Sequence, residues 1–341
     1  MVRRWEILQG DVRETLRTLE AGSVQTCVTS PPYFGLRDYG VSGQIGLEPT
    51  PADYVEQMVT VFREVRRVLR EDGTLWLNLG DSYAGAGPSG ASYQSKTTKE
   101  REGKNTDGAF RISKTLAARG LTYAEKKPIP PPGLKPKDLI GIPWRVAFAL
   151  QQDGWYLRQD IIWHKPNPMP ESVRDRCTKA HEYVFLLSKG PRYYYDAEAI
   201  AEELAPASFE RAKYSRVGHS KDVYGDGITN VRNPATDAES RAREIESGQR
   251  NRRSVWTVAT QPFKEAHFAT YPPELIEPCI LAGCPAGGTV LDPFGGAGTT
   301  GLVADRLQRD AILIELNPTY AEIARKRLQG DGGMFSEVEA A

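Results

Sequence analysis

Segments typical of strands and helices alternate at both ends of this 341-residue chain. Near the C-terminus, an apolar stretch at 288–294 precedes a glycine-rich turn and a helical segment at 299–308, and a second strand and helix follow at 311–316 and 318–329. Near the N-terminus, strands are predicted at 4–10, 24–29 and 75–79, with helices at 12–20 and 51–70. Since parallel strands need crossover connections, this alternation predicts an α/β fold with a doubly wound, mostly parallel sheet.

Two polar inserts interrupt this pattern. Residues 84–137 hold 11 Lys and Arg against 4 Asp and Glu, whereas residues 206–253 hold 10 against 7. Order returns between the inserts with a predicted helix at 138–154 and strands at 156–165 and 182–189, and again with a helix at 272–284. The formal net charge of the whole chain is zero, so any nucleic-acid surface must be a local patch such as these inserts.

Composition excludes several classes of protein. No run of about 20 apolar residues is long enough to span a bilayer, and the N-terminus lacks the pattern of a signal peptide. The 4 cysteines form no CxxC pair and the 4 histidines do not stand at zinc-ligand spacings, so no metal site is predicted. We expect a cytoplasmic protein that does not act at a membrane.

The glycine-rich turn DPFGGAGTTG at 292–301 is the first sign of a ligand site. Its glycines match GxGxxG, and Glu315 ends the next strand, where its carboxylate can accept hydrogen bonds from ribose hydroxyls. That pattern alone also fits a nicotinamide dinucleotide. However, Asp292 and Phe294 precede the glycines, and an acid there would repel a pyrophosphate but attract an ammonium group. The pattern therefore favours S-adenosylmethionine, an amino-acid nucleoside.

The second site motif is TSPPY at 29–33, directly after a strand. Proline fixes φ and lacks an N–H, so the turn is stiff. Ser30 Oγ and the Pro31 carbonyl can then accept hydrogen bonds from one NH₂ group, and Tyr33 offers a flat face to a planar ring. The motif predicts a site for the exocyclic amine of an aromatic base.

Together, these motifs resemble those of the DNA amino-methyltransferases that modify cytosine N4 or adenine N6. The family pairs (Asp/Asn/Ser)-Pro-Pro-(Tyr/Phe/Trp) with DPFxGxGTT, and this chain carries TSPPY and DPFGGAGTT in the family's β order, with the catalytic motif first and the cofactor motif last. Further similarity lies at 7–12, 161–176, 181–189 and 267–280.

The resemblance implies a Rossmann-like methyltransferase fold with circularly permuted motif order and polar inserts for target recognition. It implies that the target base is flipped out of double-stranded DNA and stacks on Tyr33. A homodimer and a cognate restriction endonuclease are the candidate protein partners. The implied catalytic residues are Ser30, Pro31, Pro32 and Tyr33. The implied S-adenosylmethionine-binding residues are Asp11, Asp292, Phe294, Gly295, Gly296, Gly298, Thr299, Thr300 and Glu315.

The same resemblance divides the chain into functional parts. Residues 1–83 and 138–205 form the catalytic half, and 254–330 form the cofactor half. The basic insert 84–137 is assigned to DNA contact and 206–253 to target recognition, with a flexible tail at 331–341.

Several alternatives stay open from the sequence. In the family that the chain resembles, serine in the first motif position usually marks cytosine N4, so the resemblance favours that base. A serine or an aspartate can each accept from an amine, so adenine N6 remains the alternative. The more distant alternatives are a nicotinamide oxidoreductase, methyl transfer to RNA or protein, and a DNA-binding protein without this chemistry. His164 and Lys165 lie at the end of a predicted strand, and either could face the site or be purely structural.

Overall fold

The computed structural model describes residues 3–84, 130, 133–204, 246–261, 270–332 and 336–339. Its strands are β1 (Arg3–Gln9), β2 (Val24–Thr29), β3 (Leu69–Leu79), β4 (Tyr156–His164), β5 (His181–Ser188), β6 (Glu202–Glu203), β7 (Gln249–Arg250), β8 (Val255–Thr257), β9 (Thr289–Asp292), β10 (Asp310–Glu315) and β11 (Ser336–Glu339). Its helices are α1 (Val12–Thr18), α2 (Pro51–Val68), α3 (Ile142–Gln152), α4 (Pro273–Gly283), α5 (Thr299–Arg306) and α6 (Pro318–Gly332).

The chain divides into two compact units. The larger unit comprises Met1–Tyr195 and Val255–Ala341, and the smaller comprises Asp196–Ser254. Within the described part of the smaller unit, β6 and β7 form an antiparallel pair, and Glu202 forms ion pairs with Arg250 and Arg253.

A single mixed sheet organises the larger unit, with described strands in the order β11-β1-β10-β9-β2-β3-β5-β4-β8. The first six strands in this order run parallel, β5 runs antiparallel to both of its neighbours, and β8 is parallel to β4. The prediction of a doubly wound, mostly parallel α/β sheet is confirmed.

Helices cover both faces of this sheet, which is why its central strands read as continuous apolar runs. Alternate residues of β3 show the two faces. Leu75 and Leu77 belong to the core that α1, α2 and α3 close, whereas Thr74 and Trp76 face α4, close to Gly283. All six residues of β2 are buried, as expected for a strand covered on both faces.

Chain winding reverses between β2 and β9. From β2 the chain passes through α2 to β3 on one side, and from β9 it passes through α5 to β10 on the other side. In open α/β sheets, the carboxyl ends of strands at such a reversal border a crevice that binds ligands. TSPPY follows β2 and the glycine-rich turn follows β9, so both motifs lie at this crevice.

Some predicted boundaries differ from the structure. β3 starts at Leu69, immediately after α2, because Leu69 already pairs with Val24 of β2. The C-terminal segment predicted as a flexible tail continues α6 to Gly332 and then adds β11, which pairs with β1. An edge strand pairs through its backbone and needs no apolar pattern, so the polar sequence there did not reveal it. Most of the two predicted inserts lies outside the described residues.

Candidate active site

A cavity of about 310 Å³ opens at the carboxyl ends of β1, β2, β9 and β10. Both sequence motifs contribute to its wall. The predicted site residues that line it are Asp11, Ser30, Pro31, Pro32, Tyr33, Asp292, Phe294, Gly295, Gly296, Thr299 and Glu315. Gly298 and Thr300 are not among its lining residues. The structure therefore brings together residues from opposite ends of the chain.

The TSPPY turn is held from behind by α2. Tyr54, which is fully buried on that helix, donates a hydrogen bond from its hydroxyl to the Pro32 carbonyl at 2.9 Å. The described residues supply no donor to the Pro31 carbonyl, which remains available to a ligand. Pro31 is buried, whereas Ser30 is half-buried at the cavity wall. The turn thus presents two oxygen acceptors from a fixed backbone.

The Tyr33 side chain is fixed by hydrogen bonds to its hydroxyl and by close packing of its ring. Its hydroxyl donates to Glu182 Oε2 at 2.7 Å and lies 3.2 Å from Asn78 Oδ1, while Ser30 Oγ donates to it at 3.4 Å. A Cβ added to Gly80 would lie only 2.5 Å from the ring. Burial raises the pKa of Tyr33 well above its usual value, so the hydroxyl keeps its proton.

A polar network links this tyrosine to two further strands. Asn78 Nδ2 donates to Glu182 Oε2 at 3.3 Å, and Lys165 forms a short ion pair with Glu182 Oε1. The Lys165 ammonium also lies 4.2 Å from the centre of the Trp163 ring. Neither Asn78 nor Glu182 is marked as a site residue by a motif in the sequence. The available signal was topological, since β5 is antiparallel and its first residues therefore lie at the carboxyl edge of the parallel strands.

Of the neighbouring residues His164 and Lys165, only Lys165 faces the cavity. Lys165 lines the cavity, whereas His164 lies 3.1 Å from Thr257 on the neighbouring strand β8 and is not part of the lining.

Asp292 is the most enclosed acid of the cavity. Its Oδ1 accepts from the Thr29 hydroxyl at 2.6 Å and the Phe294 N–H at 3.0 Å. Its Oδ2 accepts from the hydroxyls of Thr300 at 2.5 Å and Tyr271 at 2.9 Å. Burial raises the pKa of Asp292, although these hydrogen bonds oppose the shift. The carboxylate therefore ties together β2, β9, the first turn of α5 and the segment before α4.

Glu315 braces the glycine-rich turn. Its two oxygens accept from the N–H groups of Gly296 at 2.8 Å and Asn317 at 2.7 Å. Burial raises the pKa of Glu315, partly offset by these two bonds. Gly298 has φ 77°, and a Cβ there would lie 2.9 Å from Ala324 Cβ, so this glycine allows α5 to pack against α6. Gly298 thus shapes the turn from outside the cavity.

Asp11 lines the cavity and caps the N-terminus of α1. Oδ1 accepts from both the backbone N–H and Nε of Arg13 at 2.9 Å, and Oδ2 accepts from Nη2 of the same residue at 2.5 Å. The Arg13 guanidinium, through its side-chain hydrogen bonds, holds the pKa of Asp11 below its usual value. Arg13 also contacts Gln57 and the Gly43 carbonyl, so it links Asp11 to α2 and to the loop after TSPPY.

Within the ranges described, no group of three or more His, Cys, Asp and Glu side chains could hold a metal ion. Among the same residues, no helix is both long enough and apolar enough to cross a membrane.

Comparison with known proteins identifies the family. Residues 24–326 match the model of a family described as DNA methylase, with N6 and N4 amino-methyltransferases as its members. The chain is 46% identical over 327 residues to the Type II methyltransferase M.SmaI of Serratia marcescens, covering 96% of this chain and 91% of the relative. It is 45% identical over 335 residues to M.Cfr9I of Citrobacter freundii, covering 98% and 91%.

Solved structures share the fold at low sequence identity. The Thermus thermophilus protein TTHA0409, described as a DNA modification methylase complexed with S-adenosyl-L-methionine, is 22% identical, with a TM-score of 0.54 over 98% of this chain and 100% of that one. The cytosine-N4-specific PvuII DNA methyltransferase is 17% identical, with a TM-score of 0.58 over 96% and 87%. With the family match spanning most of the chain, the protein belongs to the DNA methylase family of N6 and N4 amino-methyltransferases.

Proposed function

We propose that this DNA methyltransferase moves a methyl group from S-adenosylmethionine to the exocyclic amino group of a flipped base at a specific DNA site, with cytosine N4 the favoured target. The observation that carries this proposal is the 2.6 Å hydrogen bond from Thr29 to Asp292, which joins two motifs 263 residues apart in one cavity. Donor and acceptor sites are thereby adjacent.

The lining of the cavity fits S-adenosylmethionine, a cation with a ribose and an adenine. Four acids border the cavity, namely Asp11, Glu182, Asp292 and Glu315. At the glycine-rich turn, a Cβ on Gly295 would lie 3.0 Å from Leu313 Cβ, so the turn packs closely against β10. Glu315 would hold the ribose and Asp11 the adenine, while Phe294 packs beside them. When bound, S-adenosylmethionine supplies a methyl group on a positively charged sulfur.

Asp292 was assigned from the sequence to the ammonium group of this cofactor. Its two oxygens already accept four intramolecular hydrogen bonds, which is about the full capacity of a carboxylate. The ammonium group would therefore be held mainly by charge, or would replace one of the hydroxyl donors. The negative charge of Asp292 beside the glycine turn supports the assignment.

Ser30 and Pro31 supply what a conjugated amine needs. An exocyclic NH₂ is a weak nucleophile because its lone pair is delocalised into the base. If Ser30 Oγ and the Pro31 carbonyl each accept a hydrogen bond from one N–H group of the amine, they would hold the nitrogen in place and localise its lone pair. Positioning and charge complementarity then supply most of the rate enhancement. Tyr33, fixed between Gly80 and Glu182, is the proposed stacking surface for the base.

Serine in the first position of the motif supports cytosine N4, and adenine N6 is the alternative at the same site. Relatives at 45–46% identity are named Type II methyltransferases, which supports a cognate restriction endonuclease as a biological partner. Double-stranded DNA is the proposed substrate, with the inserts 84–137 and 206–253 as its contact regions and a homodimer as the proposed assembly.

The decisive experiment incubates the protein with S-adenosylmethionine and unmodified genomic DNA, then digests the DNA and identifies nucleosides by mass spectrometry. We expect N4-methylcytosine. N6-methyladenine would keep the site and overturn the choice of base. A folded protein that binds S-adenosylmethionine but forms neither product would overturn DNA amino methylation.

A further inference from the structure

The hydrogen-bonded chain behind Ser30 has a direction. Ser30 Oγ donates to the Tyr33 hydroxyl at 3.4 Å, and that hydroxyl donates to Glu182 Oε2 at 2.7 Å. A hydroxyl that donates inward leaves its lone pairs for the cavity, which is the arrangement an incoming amine requires. The chain ends on a carboxylate, the one member that can accept a proton without donating one.

We propose that Ser30, Tyr33 and Glu182 form a proton relay that removes the proton released by the methylated amine. This inference rests on the proposed function of the same site. Glu182 is a positioning and proton-accepting residue that does not itself touch the base.

Methyl transfer is followed by the removal of one proton from the amine. The amine nitrogen forms a bond to the methyl carbon of the sulfonium donor, and the carbon–sulfur electron pair stays on sulfur. The nitrogen is then positively charged and passes one proton to Ser30 Oγ. Ser30 passes its own proton to the Tyr33 oxygen, and Tyr33 passes its proton to Glu182 Oε2. Serine and tyrosine end neutral, as they began, while the carboxylate becomes a carboxylic acid.

The surroundings of Glu182 suit this cycle. An amine conjugated to a base becomes a strong acid once it is methylated and protonated, so a weak base is a sufficient acceptor. When Glu182 is neutral, Lys165 keeps the Trp163 ring as a partner at 4.2 Å. The Glu182 side chain is 17% exposed, so it can return the proton to solvent before the next turnover.

Distances set one requirement. The Tyr33 to Glu182 bond is already at an ordinary length, but 3.4 Å between Ser30 and Tyr33 is long for an O–H···O bond. The relay therefore needs these two oxygens to move closer when the amine binds, as hydrogen bonds of catalytic groups commonly do in substrate complexes.

The test compares Tyr33→Phe and Glu182→Gln with the wild type under single-turnover conditions, in H₂O and in D₂O. Tyr33→Phe keeps the ring but removes the relay oxygen, and Glu182→Gln keeps the shape but not the basicity. We expect each to lower the methyl-transfer rate by about 100-fold and to abolish the solvent isotope effect of the wild type. Cofactor affinity by calorimetry and flipping of a 2-aminopurine target by fluorescence should stay unchanged.

Matched controls are Tyr183→Phe and Glu71→Gln. Tyr183 neighbours Glu182 on β5 but packs with Trp144 and Phe185, and Glu71 pairs with Lys189 at the surface. Both should keep wild-type rates. Wild-type rates and isotope effects in Tyr33→Phe and Glu182→Gln would overturn the relay. Equal losses of rate, cofactor affinity and base flipping would also overturn it, in favour of a structural role. A wild type that binds the cofactor but transfers no methyl group would instead overturn the proposed function.

Discussion

A single added carbon at Gly80 should lower the rate of methylation while leaving the protein folded. Gly80 follows β3, and a Cβ there would lie 2.5 Å from Tyr33 Cε2 and 3.0 Å from Cδ2. An exposed ring would rotate away from such a contact. Tyr33 cannot do so freely, because its hydroxyl is bonded to Glu182 at 2.7 Å. In Gly80→Ala we therefore expect the ring to shift as a unit.

The size of this shift follows from ordinary contact distances. Reaching the 3.4 Å of a normal van der Waals contact requires the ring to move by about 1 Å. Overpacking of this kind typically costs about 1–3 kcal/mol of stability, which lowers Tm by several degrees without unfolding the protein. A displacement of about 1 Å at groups that position the substrate lowers the catalytic rate by about 100-fold.

Three measurements test this reasoning. Thermal unfolding reports the stability cost, calorimetry reports cofactor affinity, and incorporation of labelled methyl groups into DNA reports the rate. Cofactor affinity should be unchanged, because the glycine-rich turn is not altered. Gly190→Ala is the matched control, since the nearest atom to its added Cβ would be a carbonyl oxygen at 3.5 Å, an ordinary contact. A Gly80→Ala protein with the wild-type methylation rate would refute the argument.

Three further changes test residues that shape or support the proposed cofactor site. Gly298→Ala places a Cβ 2.9 Å from Ala324 Cβ at φ 77°, so we expect about 1–3 kcal/mol of destabilisation, and an unchanged Tm would contradict it. Burial raises the pKa of Asp292, so the carboxyl group keeps its proton to a higher pH in the folded protein than in the unfolded chain. The folded protein therefore loses stability as the pH rises from the pKa of the unfolded chain to that of the folded protein. The Tm of Asp292→Asn minus that of the wild type should therefore be larger at pH 8 than at pH 4, and the variant should lose methylation. The same Tm difference at both pH values would contradict this prediction. Arg13→Lys removes the forked contact that lowers the pKa of Asp11, and calorimetry should show several-fold weaker cofactor binding, with full affinity as the contrary result.

The two motifs could be predicted to meet because each is local and each follows a strand. Strand alternation placed TSPPY and the glycine-rich turn at carboxyl ends, and the rule for parallel sheets brought those ends together. The chemistry of each turn could be interpreted from its own residues. No distant contact had to be known.

The network around Tyr33 could not be found in this way. Its hydroxyl reaches Asn78 and Glu182 across 45 and 149 residues, and nothing in their local sequences marks them as partners. They meet because β5 inserts antiparallel beside β3 with Asn78 opposite Val184. Thr300 shows that a residue within a recognised motif need not face the cavity. Its motif suggests a cofactor contact, yet its buried hydroxyl bonds to Asp292, and a sequence pattern does not tell which side of a turn a hydroxyl faces.

The order of the motifs along the chain has little bearing on the chemistry, whereas strand register is essential to it. β1 lies between β10 and β11 in the sheet, so the first strand of the chain is a neighbour of its last strands. A parallel sheet can thus be interrupted at different loops without moving any carboxyl end. Register is different, because Cys27 opposite Leu291 is what brings the Thr29 hydroxyl to Asp292. A slip of one residue would turn these side chains to opposite faces and leave a buried carboxylate without its hydroxyl partner. The Thr29–Asp292 bond therefore secures the pairing that makes one cavity from two distant motifs.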